Sequence, residues 1–201
     1  MSGAAGAHSP AAERNRLPIG QVLCRWLAPD ARVLEIGSGT GQHAAWFHSL
    51  LPGVVWQATE MPEHLDALHA RLAEEAPSLP EPAALDVMAA DDWPAGDWDA
   101  VFSANTLHIM PWDHTPALLH AVAERVVDGG LLVIYGPFRD GDRFDAESNR
   151  RFDRQLRQRD PAMGIRDILE VRQLAGTAGW LAEAEIAMPA NNRILIFRKS
   201  E

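Results

Sequence analysis

The chain has 201 residues, 47% of them apolar, which suits one ordinary domain with a full hydrophobic core and no need of a structural metal. A single cysteine, Cys24, excludes an internal disulfide framework, and no apolar run approaches the ~20 residues of a membrane-spanning helix. Basic residues number 18 and acidic ones 28, a net charge of −10 that repels a phosphate backbone and disfavours nucleic acid as a partner. The start of the chain lacks the basic and apolar stretches of a signal peptide, so a soluble cytoplasmic protein with no membrane partner is expected.

Residues 1–13 are small and without period, and are expected to form a flexible tail ahead of one domain over 14–201. Pro18 suits a first helical turn, and Ile19, Val22, Leu23, Trp26 and Leu27 follow at helical spacing, with Cys24 expected to pack on the apolar face. The run 32–36 reads as a buried strand broken by glycines, and 41 onward returns to helical spacing through Ala44, Ala45, Phe47 and Leu51. The alternation repeats as strand 54–59, helix 62–75, strand 83–87 and strand 98–104. Asp113 is expected to cap a helix reaching about Val127, with Asp128, Gly129 and Gly130 stopping it before strand 131–135. Strands separated by helices of this length imply βαβ units and a parallel sheet.

After Tyr135 the pattern changes. Phe144, Ser148, Phe152 and Leu156 suggest one polar helix, and Asp167 is expected to cap another that ends near Gly179. Two closing strands, 181–187 and 193–197, are joined by so short a linker that an antiparallel return is expected. The segment 139–172 holds nine of the basic residues and eight acids. Such a stretch is a helical face laced with ion pairs or an anion-binding cover over a substrate.

The sharpest motif is Glu35-Ile36-Gly37-Ser38-Gly39-Thr40-Gly41, between the first strand and the second helix. In an open α/β sheet a turn at a strand's carboxyl end is where ligands bind, and glycines let a ligand approach the backbone closely. The spacing is G-x-G-x-G, unlike the G-x-G-x-x-G of dinucleotide enzymes, and no lysine follows as in a phosphate-binding loop. Glu35 at the mouth can accept from an ammonium, where a pyrophosphate would be repelled. A nucleoside carrying an amino-acid group fits better than a dinucleotide. Glu60 after the second strand can accept from ribose hydroxyls, and Asp86, beside Val87, from an adenine amino group. Each acid alone is equally a surface carboxylate; the informative feature is their succession at strand ends.

These residues resemble the class I S-adenosylmethionine (SAM)-dependent methyltransferases. Further segments, Arg14-Asn15, Pro18-Ile19, Asn105-Thr106-Leu107-His108-Ile109, Pro111-Trp112, Tyr135-Gly136-Pro137-Phe138, Ser148-Asn149, Phe152-Asp153, Gly164-Ile165-Arg166-Asp167 and the run 188–192, are similar to a bacterial and animal methyltransferase-like family once catalogued as a domain of unknown function. One departure is Thr59-Glu60, where that family's pattern has Ser-Asp. The resemblance implies a single Rossmann-like α/β sheet of seven strands in the order 3-2-1-4-5-7-6, the last antiparallel, with helices on both faces. It implies SAM as cofactor, S-adenosylhomocysteine (SAH) as product and an unidentified, small-molecule acceptor.

Within that frame the candidates for the cofactor are Arg14, Asn15, Glu35, Gly37, Ser38, Gly39, Gly41, Glu60, Asp86, Val87 and Asn105. Arg14 precedes the first apolar helix and can meet the cofactor's carboxylate; Asn105 ends the fourth strand, beside the expected methyl. His108 is the candidate base or acceptor-orienting group, and Tyr135 can point a hydroxyl inward; a histidine bonded to backbone and a core tyrosine would look the same in sequence. Asn149, Arg166, Asn191 and Asn192 are the candidates for the acceptor, Arg166 by holding a carboxylate or phosphate. Structural ties of Arg166 to Asp153 or Asp167, and turn chemistry for the two asparagines, fit equally. His108, His114 and His120 do not share a helical face, so no metal is expected. A methyltransferase-like protein that binds SAM or SAH without turnover, and an NAD-dependent oxidoreductase, remain the alternatives; oligomeric state is left open.

Overall fold

The structure is a computed structural model and describes residues 8–200. Its elements begin α1 (Pro10–Trp26), β1 (Arg32–Ile36), α2 (Gln42–Leu50), β2 (Val55–Glu60), α3 (Leu65–Glu75), β3 (Ala83–Ala84) and β4 (Trp98–Ala104). They continue with α4 (Thr115–Arg125), β5 (Val126–Gly136), β6 (Phe138–Asp140), β7 (Arg143–Phe144), α5 (Glu147–Arg159), β8 (Arg166–Asp167), α6 (Ile168–Thr177), β9 (Trp180–Met188) and β10 (Asn192–Lys199). Seven strands follow the order β3-β2-β1-β4-β5-β10-β9, the expected arrangement with its final pair antiparallel, and β7-β6-β8 make a small second sheet. The chain divides into two compact units, one closing at Ala100 and the other beginning at Val101. No helix among the described residues is long and apolar enough to cross a membrane.

In the first unit β1 and β2 run parallel, with Val33 opposite Trp56 and Ile36 opposite Thr59. Their side chains pack with Phe47, Leu68 and Leu72 in a buried core. Helix α1 lies so near α2 that a Cβ on Gly20 would come within 2.6 Å of Leu50 and Trp46. The helix starts at Pro10, earlier than expected, so residues 10–13 are helical; residues 1–7 of the expected tail lie outside the described residues. Ser9 accepts from the Ala12 amide as its cap. Pro18 therefore sits inside the helix, where it lacks the N–H that would bond the Arg14 carbonyl. Cys24 is exposed, against the expectation that it packs in the core.

In the second unit β10 pairs antiparallel with β5, Ile194 opposite Tyr135, and with β9 on its other side. Trp180 is buried and its indole donates to the Leu119 carbonyl, tying β9 to α4. Several boundaries differ from expectation. Asp113 lies within a 3-10 turn and caps nothing; His114 takes the cap position, α4 ends at Arg125 and β5 starts directly at Val126. Phe144 belongs to β7 and not to the polar helix. Asp167 does cap α6, accepting from the Leu169 and Glu170 amides.

Candidate functional site

In the first unit the glycine turn follows β1 directly. Gly37, Gly39 and Gly41 have φ of 72°, 57° and 80°, the left-handed region that a side chain makes costly. A Cβ on Gly39 would meet nothing within 4 Å, so the backbone there faces open space. The Gly39 amide donates to Glu60 Oε2 at 2.6 Å, and Glu60 Oε1 accepts from the Met61 amide at 2.9 Å. The turn after β1 and the acid ending β2 are thus joined by one hydrogen bond. Each Glu60 oxygen keeps a further lone pair for a diol.

Glu35 is not at the mouth. Only 1% of it is exposed, and its Oε2 accepts from the Trp56 indole at 2.9 Å and from Ser38 Oγ at 2.8 Å. Burial pushes its carboxyl up to about 7 against the pull of those two donors, with the charge of Glu60 adding to the rise. The expectation that Glu35 meets an ammonium is therefore corrected: its side chain holds the turn in place through Ser38, whose Oγ also accepts from the Thr59 amide. Trp56, which sequence reasoning missed, is the partner that fixes Glu35. Its signal is the register of β2 against β1, which spacing along the chain does not carry.

Asn15 is also corrected. It is buried, with Oδ1 accepting from His43 Nε2 at 2.7 Å, so it pins α1 to α2. Burial lowers His43 to about 4, opposed by the nearby Ala12 carbonyl. Arg14 is exposed on α1, and its side chain bonds no described residue. Asp86 lies beyond the two-residue β3 and not at its end; its carboxylate accepts from the Met88 amide at 2.9 Å, and Asp86 and Val87 are half-buried. A cavity of about 310 Å³ beside Glu13, Arg16 and Trp46 includes none of the three glycines, Glu60 or Asp86 in its wall.

In the second unit Asn105 follows β4 with φ of 61°, and its amide donates to the Tyr135 carbonyl at 2.9 Å. Left-handed backbone is tolerated by Asn and concentrates at ligand sites. Three residues on, His108 is 5% exposed, with the edge of Phe152 against its ring. A Cβ on Gly136, next to Tyr135, would lie 3.6 Å from His108 Nδ1. The His108 ring makes no hydrogen bond to a described residue, so the backbone-bonded alternative does not hold. Burial, with the Arg166 charge adding to it, lowers it to about 4, so the ring is neutral at pH 7. Tyr135 is buried at the end of β5.

Arg166 does not present a free fork to the acceptor. It is 6% exposed; Nε donates to the Leu107 carbonyl at 2.9 Å, and Nη2 to Met110 and Ala162 at 2.6 and 2.9 Å. It therefore braces the loop that carries His108. The expected tie to an aspartate is likewise absent, and the guanidinium stacks over Trp112 instead. Asn149 is buried and donates to the Asn191 carbonyl at 3.0 Å, while Asn192 donates to Pro189, closing the turn between β9 and β10. Ala190 and Asn191 both have positive φ there.

The family model described as "Protein of unknown function (DUF938)" matches residues 7–199. The chain belongs to that family. An O-methyltransferase family protein of Burkholderia thailandensis superposes with TM-score 0.80 at 19% identity, over 95% of this chain and 58% of that one. Human N-acetylserotonin methyltransferase, solved in complex with SAM, gives 0.71 at 19% identity over 95% and 58%. Mitomycin 7-O-methyltransferase gives 0.76 at 20% over 92% and 54%. The chain spans a little over half the length of these solved relatives. Its fold is that of the class I SAM-dependent methyltransferases.

Proposed function

We propose that this DUF938 protein is a SAM-dependent methyltransferase acting on a small-molecule acceptor. The observation that carries the reading is the Gly39–Glu60 hydrogen bond at a turn of three left-handed glycines, open above Gly39. That arrangement supplies backbone for close approach and a carboxylate for a ribose diol. Gly37, Gly39 and Gly41 would hold the cofactor against backbone, Glu60 its ribose, and Asp86 with Val87 its adenine. Exposed Arg14 is left for its carboxylate. Glu35 and Ser38 keep the turn in shape.

When bound, the cofactor supplies a methyl group on a sulfonium, an electrophile that needs only an aligned lone pair. The chain's part is to orient the acceptor and take its proton. His108, neutral, walled by Phe152 and without a hydrogen bond to a described residue, suits the first by accepting the acceptor's hydrogen bond, while its lowered pKa makes it a weak base for the second. Arg166, through Leu107 and Met110, keeps the His108 loop from sagging. The O-methyltransferase names of the solved relatives support a hydroxyl on a small acceptor. Incubation with SAM and a metabolite extract tests the reading: SAH and a methylated product are expected together. His108→Gln should lower turnover ~10²-fold with cofactor affinity unchanged. No SAH above the protein-free control would contradict catalysis and leave the binding-only alternative.

A further inference from the structure

The second unit holds a cavity of about 270 Å³ whose wall includes Trp112, Arg139, Arg157, Ile165, Arg166 and Glu170. The arginines are not equally compensated. Arg139 is spent on Asp167 at 3.2 Å, Glu170 at 3.6 Å and the Ile165 and Gly141 carbonyls. Arg157 gives Nε to Asp153 at 2.9 Å, and its two terminal nitrogens donate to no described residue. Arg166 is buried, yet no carboxylate among the described residues lies within ion-pair distance of it. Its bonds go to three neutral carbonyls and its face to Trp112, 5.1 Å away.

A buried guanidinium served only by carbonyls lacks the charge that would offset its lost hydration. Its pKa is lowered to about 10, by burial first, with the Arg157 and Arg139 charges adding to the fall and Asp153 and Glu170 opposing it. The cavity is at the small end for ligand sites, so its occupant is compact. Trp112 offers one aromatic face, and the terminal nitrogens of Arg157 offer donors in the fork geometry that suits an oxyanion.

We propose that this cavity binds a small oxyanion-bearing molecule, a carboxylate or phosphate on a compact body, whose charge is the counter-ion Arg166 lacks. The site stands apart from the methyl-transfer reading and does not rest on it. Arg166 itself braces the His108 loop, so its removal tests folding as well as binding. Arg157 is the better handle, because its side chain is 46% exposed and holds a single ion pair.

The test is a nuclear magnetic resonance titration of the full chain with inorganic phosphate and, separately, benzoate at constant ionic strength. The indole signal of Trp112 is assigned from Trp112→Phe. Saturable movement of that signal by at least one probe is expected, weakened roughly tenfold or more in Arg157→Gln at unchanged Tm. Arg157→Lys, which keeps the charge without the fork, should fall between. Tighter phosphate points to a phosphoryl ligand, and tighter benzoate to a carboxylate on a flat body. No saturation by either probe, or equal affinity in Arg157→Gln, overturns the proposal.

Discussion

Glu35, His43 and His108 are buried titratable groups that govern how the fold answers to pH. An unfolded histidine titrates near 6.5, whereas His43 and His108 in the folded chain take protons only near 4. Between those values the unfolded chain binds two more protons. Glu35 opposes them, since it stays protonated up to about 7 in the fold against an ordinary 4.5. The balance is one proton gained on unfolding between about pH 6.5 and 4.5, so stability falls by roughly 1.4 kcal/mol per unit as pH drops through that window. His108→Gln removes one histidine and should flatten the slope to near zero, read from urea midpoints at several pH values. An unchanged slope would mean that His108 is not held neutral by burial.

Two further substitutions separate shape from charge. Glu35→Gln keeps a carbonyl oxygen for Trp56 and Ser38 and should cost within about 1 kcal/mol at pH 7, whereas Glu35→Ala strands both donors and should cost about 2–4 kcal/mol by denaturation. At the turn, Gly39→Ala meets open space and carries only the strain of its positive φ, about 1–2 kcal/mol, yet fills the approach a cofactor needs. Gly41→Ala instead drives a methyl within 2.8 Å of Leu68 and should show first as lost stability. A Gly39→Ala protein that is folded but binds SAM as the native protein does would remove the turn from the site.

Among the elements, the segment from α5 to β8 acts as a clamp on the loop after β4. Gly164 donates to the His108 carbonyl, Ile165 to Asp153, and Arg166 reaches Leu107 and Met110. Arg166→Met keeps the length and removes the donors, so about 3 kcal/mol or more should be lost, with faster exchange at the Gly164 amide. Exchange confined to other segments would contradict the clamp. Little of it was legible in sequence, because two-residue strands have no period and a charge-dense stretch reads as solvated face. The helical start at Ser9-Pro10 is carried by Ser at the cap and Pro behind it, start signals that the featureless alanines around them mask. The Asp113 cap failed because a 3-10 turn intervenes and shifts the helix start by one residue.

Across the whole molecule the alternation of strands and helices and the left-handed turn were legible, since apolar runs, helix spacing and glycine clusters are local signals; the strand order followed from the family resemblance. The inward turning of Glu35, Asn15 and Arg166 was not, because each is settled by partners distant in sequence: Trp56, His43 and the Leu107 carbonyl. The central claim is that the first unit's glycine turn and Glu60 bind an adenosyl amino acid. Calorimetric titration with SAM, SAH and NADH in parallel tests it most directly. Micromolar binding of SAM and SAH, lost in Gly39→Ala, with no response to NADH, is the predicted result; silence from both adenosyl ligands, or binding of NADH in their place, would contradict it.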